Sequence, residues 1–497
     1  MEVLTNARAD KDLSTNGRLQ PAENNSDQPA NPDRSPSTWM LLAVLLLILV
    51  VGAALRFGLW TWFAGQSLHI EDEQDYNRLA CNLVLHGEFA FEPGQPTSLR
   101  PPLYPALVAG VYQLFGLENF QAVRLLQAIV SLVNVILLYH LGLTVFSRKA
   151  GLWLAGLYAF YPSLLGYNNL LLTEVLFTFL LCAFCDLLIC ALQHDSLPYL
   201  ALSAVLLGLA ALSRSVVWLF PPVLACFLLL AFRGNWRRRI LASVIFLTAF
   251  AFVLAPWAYR NTRLQKTFIA VDVMGGRNFM MGNYRYTPLY RSWATIELQG
   301  EESWIHEVVQ TYPATQPRTQ GQIDKLAMRQ ALKFIASNPG LTLQRSVVKF
   351  FDFWGLEREL ISGGDRGFFG PIPTAVLVAL ALLLCGSYVL ALFACIYAMV
   401  LAPPADRRIH LFLLLLIAFV CALHTLAFGH SRYHLPLMPL VLAYAATAVV
   451  HRKEIWRQRR SWSFWMASGC CAIFVAGWLW GLVVVDPARI LSLLHFV

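Results

Sequence analysis

Charge is scarce in this chain. Asp, Glu, Lys and Arg make up 13% of the residues, where soluble domains carry about 25%. Acids are the scarcer sign, 29 against 38 basic residues. That shortage excludes an ordinary water-soluble enzyme. The net charge of +9 does not point to nucleic acid, because the basic residues gather in short loops between apolar runs, which is a topogenic pattern. A disulfide framework is also missing. Of ten cysteines, only Cys81 stands in a polar loop, and the rest act as small hydrophobes in apolar runs. Cys182 and Cys185 lack the second pair or the histidines that a compact metal site needs. Gly275, Gly276 and Gly282 form no phosphate-binding strand–turn–helix motif and read as turns in a cleft. No internal repeat stands out. Residues 1–38 lack an apolar run and read as a disordered tail. The segment that follows reads as an uncleaved anchor rather than a signal peptide.

Apolar length is what the chain has in abundance. Hydrophobic residues reach 57%, and many windows are long enough to span a bilayer. Arg148-Lys149, Arg233 with Arg237–Arg239, Arg407-Arg408 and His451–Arg460 mark the cytoplasmic side. Requiring all four to face one way gives about eleven spans, near 39–60, 121–146, 150–167, 170–193, 198–213, 215–232, 238–257, 371–401, 409–428, 434–450 and 462–484. Pro101–Gly116 is then a juxtamembrane helix. The fold expected is an all-α polytopic membrane protein with its N-terminus in the cytoplasm. It divides into the tail 1–38, a transmembrane module 39–257 with a first outer loop at 61–120, an extracytoplasmic region 258–370 with an amphipathic stretch near 323–335, and C-terminal helices 371–497.

On this topology Asp72, Arg100, Glu174, Arg214, Arg260, Arg263, His430, Arg432 and His434 collect near the outer membrane face. Ionisable residues at a bilayer are costly and mark function. A carboxylate such as Asp72, Glu73 or Asp75 can take a proton from an acceptor hydroxyl or cap a helix. Arg100, held by Pro101 and Pro102, can grip phosphate oxygens or anchor at the interface. Glu174 at the start of an apolar run needs a partner.

Five pieces carry a family resemblance. They are Asp72-Glu73-x-x-Tyr76, Arg100-Pro-Pro-Leu-Tyr104-Pro, Leu172-Thr173-Glu174, Pro256-Trp257-x-x-Arg260-Asn261 and His430-Ser-Arg432-Tyr433-His-Leu-Pro. In order, spacing and sidedness the chain resembles the GT-C glycosyltransferases that use polyprenyl-phosphate sugars. It is most similar there to the branch of aminoarabinose transferases and protein O-mannosyltransferases. The resemblance implies a GT-C-like bundle with an extracytoplasmic active site in a multi-pass protein of the cell membrane. It implies catalysis by Asp72 with Glu174 as a supporting acid, and phosphate contacts at Arg100 and Arg260. Glu73 is a further catalytic candidate, Arg432 a further phosphate contact, and Tyr76, Tyr104, Arg214, His430 and Tyr433 are candidate substrate contacts. The expected partners are a polyprenyl-phosphate-linked sugar, the bilayer, and a glycan, lipid or protein acceptor. No metal ligand is assigned, and a divalent cation stays open. A transporter or lipid flippase is the alternative, although such proteins show inverted repeats and midplane charges.

Overall fold

The computed structural model describes residues 38–314 and 316–485, so the N-terminal tail falls outside the described residues. The chain is built of helices. The first group is α1 (Thr38–Trp62), α2 (Glu71–His86), α3 (Leu103–Phe115), α4 (Phe120–Val145), α5 (Arg148–Ala159), α6 (Pro162–Tyr167), α7 (Glu174–His194), α8 (Leu197–Ser213), α9 (Phe220–Ala231) and α10 (Trp236–Gln265). A second group fills the segment up to residue 370: α11 (Gly275–Met281), α12 (Trp304–Thr311), α13 (Gln320–Ser337), α14 (Pro339–Phe353) and α15 (Glu359–Asp365). The last group is α16 (Thr374–Leu401), α17 (Arg407–Leu426), α18 (Met438–Val450), α19 (Arg452–Arg457) and α20 (Trp462–Trp480).

Among the described residues, 8 helices are long and apolar enough to cross a membrane, and Leu103–Phe115, Leu197–Ser213 and Phe220–Ala231 are shorter apolar helices. The protein is therefore a multi-pass membrane protein. Each expected span contains a helix, with informative differences. The span expected at 150–167 divides into α5 and α6, because Pro162 at the first turn of α6 suits a helix start and cannot continue α5. The span expected at 215–232 shortens to α9, since Pro221 and Pro222 open that helix. Helix α3 has 13 residues and rises about 20 Å, less than the roughly 30 Å of a hydrocarbon core.

Two apolar cores form. The larger joins the membrane helices around Leu138, Leu181, Phe184, Leu207, Phe246, Phe412 and Tyr444. The smaller sits in the segment after α10 and gathers Met280, Tyr284, Val308, Ala327 and Ala331. The amphipathic stretch expected near 323–335 lies in α13, whose Ala327 and Ala331, four residues apart, face this small core. Gly275 and Gly276 belong to α11 rather than to a turn. Gly276 leaves no room for a Cβ against the carbonyl of Asp324, and Gly282 none against that of Ala427. These glycines let α11 press on α13 and on the end of α17. The small unit is thereby seated directly over the bundle.

Candidate active site

Where the small unit meets the bundle, a cavity of about 1370 Å³ opens. One wall comes from α2, the loop before α3, the start of α7, the end of α8 and the 3-10 turn Ser431–Leu437. The other comes from residues 268–297, α13, α14 and α15.

Helix α2 sets the first wall. Its first turn is Glu71-Asp72-Glu73, and acids are favoured there by the free N–H groups and the helix dipole. Successive residues turn about 100° around a helix, so Asp72 and Glu73 point different ways. Asp72 lines the cavity. Its Oδ1 accepts from Arg100 at 2.6 Å and its Oδ2 from Arg432 at 2.9 Å. Arg100 also donates to Asp75 through Nε at 3.1 Å and Nη2 at 2.8 Å, and its guanidinium lies 5.6 Å from the Tyr76 ring centre. Arg432 donates through Nε to Glu174 at 2.5 Å. Arg214 approaches the same Glu174 oxygen at 3.2 Å, an ion pair without a hydrogen bond, because Arg214 Nη1 and Glu174 Oε2 both lack hydrogen-bond partners. The Arg214 guanidinium lies 5.4 Å from the Tyr433 ring centre.

Burial would raise the Asp72 pKa, but Arg432 and Arg100 outweigh it and hold the carboxyl down at about 2. Arg100 is desolvated, yet Tyr76, Asp72 and Asp75 push its pKa above the ordinary arginine value. The wall is thus a chain of acidic and basic side chains that alternate, Asp75–Arg100–Asp72–Arg432–Glu174–Arg214. It can deprotonate an acceptor at Asp72 and offer cations to an anion beside it.

Several expected site residues meet here and others do not. Tyr76, Arg214, His430 and Tyr433 line the cavity with Asp72, Arg100 and Arg432. Glu73 leaves the catalytic set. It is turned away, with one oxygen accepting from the backbone N–H groups of His69 and Ile70 and the other from Leu171 N–H, at 3.3, 3.2 and 2.8 Å. It ties the start of α2 to the loop before α7. Arg260 does not reach the cavity either. Its guanidinium donates to the carbonyls of Thr97 and Phe89 and to Asn261 Oδ1, and lies 4.6 Å from the Trp257 ring centre, so it fastens the loop before α3 to α10. Tyr104 is fully buried and donates to Gln127 Oε1 at 2.8 Å. It packs edge-on against Tyr76 and holds α3 on α4. Among the described residues, no three His, Cys, Asp or Glu side chains gather closely enough to hold a metal ion.

The titratable residues of the second wall were not singled out in the sequence. Asp272 lines the cavity and accepts from Met274 N–H at 3.1 Å, and burial raises its carboxyl to about 6 despite a hydrogen bond with Ser215. Burial likewise raises Asp352 to about 7 against the pull of Arg291 and Arg358. Lys349, on the same helix, is buried, and burial with Arg345 nearby lowers it to about 7. Its ammonium donates to the carbonyls of Gly282 and Leu426 and to Asn283 Oδ1 at 2.7, 3.3 and 3.2 Å, latching α14 to α11 and α17.

This helical bundle is similar to one known family over part of its length and to solved structures in its fold. Residues 99–259 match the family described as dolichyl-phosphate-mannose-protein mannosyltransferase. The oligosaccharyltransferase of Archaeoglobus fulgidus, solved with a tethered acceptor peptide, superposes with a TM-score of 0.50 at 15% identity, over 89% of this chain and 54% of that one. The chain thus spans about half the length of that enzyme. ArnT from Cupriavidus metallidurans, solved with undecaprenyl phosphate, gives a TM-score of 0.36 at 15% identity, over 84% of this chain and 79% of that one. No curated protein matches the sequence.

Proposed function

We propose that the protein is an inverting glycosyltransferase that moves a sugar from a polyprenyl-phosphate donor to an acceptor at the extracytoplasmic face of the cell membrane. The observation that carries this reading is Asp72, held in the cavity between Arg100 and Arg432. A lipid phosphate is already a good leaving group, so the chemistry needs one base and cations for the phosphate. Asp72 takes the proton of the acceptor hydroxyl as that oxygen attacks the anomeric carbon. The bond from that carbon to the phosphate oxygen breaks on the opposite side, and the sugar inverts. Arg100 and Arg432 stabilise the charge that gathers on the departing phosphate. Glu174, almost fully buried, aims Arg432 by accepting from its Nε. The charges gather at one end of the bundle rather than at its midplane, which favours transfer over transport.

The test is mass spectrometry of envelope glycolipids, glycans and proteins from cells with and without the gene. Loss of one sugar residue from one class identifies the acceptor. Unchanged glycans alongside altered leaflet distribution of a lipid would overturn transfer in favour of a flippase.

A further inference from the structure

The arginines of the first wall are already engaged with carboxylates. Arg277, on α11, differs. It lines the same cavity from the opposite wall. Its backbone N–H donates to Asp324 Oδ1 at 2.9 Å, and the tight seat of Gly276 against Asp324 leaves α11 no slack. Its Nε is buried and has no hydrogen-bond partner, and among the described residues its guanidinium makes no ion pair. Trp304 lies beneath it, with the ring centre 5.7 Å away, and blocks retreat on that side. Burial lowers its pKa, and repulsion from Arg100 lowers it further. Two cations therefore approach each other across the cavity. Asp72 and Asp75 balance one of them by direct contact, whereas the other feels Glu71 and Asp75 only at a distance, without a hydrogen bond or ion pair.

We propose that Arg277 binds the phosphate of the lipid donor, facing Arg100 across the cavity, and that it takes the place expected for Arg260. A phosphate oxygen between the two guanidiniums supplies the missing acceptor and removes their repulsion. It also joins the small unit to the bundle through the substrate, so donor binding closes the two walls on each other. This inference rests on the polyprenyl-phosphate reading above.

The experiment uses the full-length protein in nanodiscs, titrated with undecaprenyl phosphate and, separately, with undecaprenol. Binding is read without turnover. A lost charge-assisted contact should weaken undecaprenyl phosphate binding about tenfold or more in Arg277→Ala and Arg277→Gln. Arg277→Lys should retain part of the affinity, because charge survives while the two-pronged geometry is lost. Undecaprenol should bind all variants like the wild type. Unchanged affinity for undecaprenyl phosphate in the glutamine variant would sink the proposal. So would equal weakening for both lipids, which would mean a damaged lipid groove. A rise in the acceptor KM in a separate turnover assay, with phosphate affinity intact, would assign Arg277 to an anionic acceptor instead, and would also overturn it. Should the alanine variant fail to fold, the lysine and glutamine pair still decides. A protein that binds lipid phosphate through Arg277 yet transfers no sugar would refute the transferase reading and leave this one standing.

Discussion

The two walls of the cavity treat charge in opposite ways. On the first, six side chains from α2, the loop before α3, α7, α8 and the 3-10 turn alternate in sign, and each touches an opposite partner. On the second, Asp272, Asp352 and Lys349 drift toward neutrality, with pKa values of about 6, 7 and 7. Burial disfavours the charged form on both walls. Opposite charges within a few ångströms reverse the balance on the first and fail to do so on the second. Low exposure alone therefore says little about ionisation. On the first wall Asp72 and Arg100 are held in their charged forms. The second can exchange protons near neutral pH.

The sharpest way to break the first wall is at its centre. Asp72→Asn keeps the size and loses the carboxylate proposed as the base. Turnover should fall by roughly two orders of magnitude or more, with little change in donor affinity, measured with a synthetic polyprenyl-phosphate sugar. Full turnover in this variant would move the base elsewhere.

Removing a partner should cost stability as well. Arg432→Ala leaves Glu174 buried with only the poorly aligned Arg214. A broken buried pair destabilises by about 3–5 kcal/mol. The unfolding temperature should drop clearly, and adding Glu174→Gln should restore part of the loss. An unchanged melting profile would show that water already compensates Glu174.

The third effect belongs to the second wall and appears as a pH dependence. The Asp352 carboxyl is raised from about 3.9 in an unfolded chain to about 7. The folded state holds more protons than the unfolded one between those values, so its contribution to stability falls as pH rises from about 4 to 7. Lys349 is lowered from about 10.4 when unfolded to about 7. There the unfolded state holds more protons, and stability rises from about pH 7 to 10. Together they place a minimum near neutrality. Melting curves between pH 5 and 9 should show it, with Asp352→Asn flattening the acid side and Lys349→Met the alkaline side. A curve without that minimum would make the second wall as firmly charged as the first. Asp72 has the opposite sign to Asp352, because its depressed pKa stabilises the fold above about pH 4 and that stability is lost as pH falls toward 2.

What the sequence by itself determined is the environment and the order of the parts. Long apolar runs in a chain poor in charge leave only membrane helices, because a lipid interior offers the backbone no water. Scarce acids at one end of those runs marked Asp72 and Glu174 before any contact was visible. What only the tertiary structure decided is who meets whom. Asp72 and Arg432 lie 360 positions apart and still touch, and no local pattern encodes such a pair. Neighbours in sequence were separated just as firmly. Asp72 faces the cavity while Glu73 caps its own helix, because one step turns a side chain about 100° and only packing sets where that turn begins. Arg260, expected at the phosphate, and Arg277, which the sequence did not single out, are placed differently for the same reason. One is wedged among backbone carbonyls and the other is carried into the cavity by the close seat of Gly276 on α13, and both outcomes depend on which surfaces the folded chain brings together.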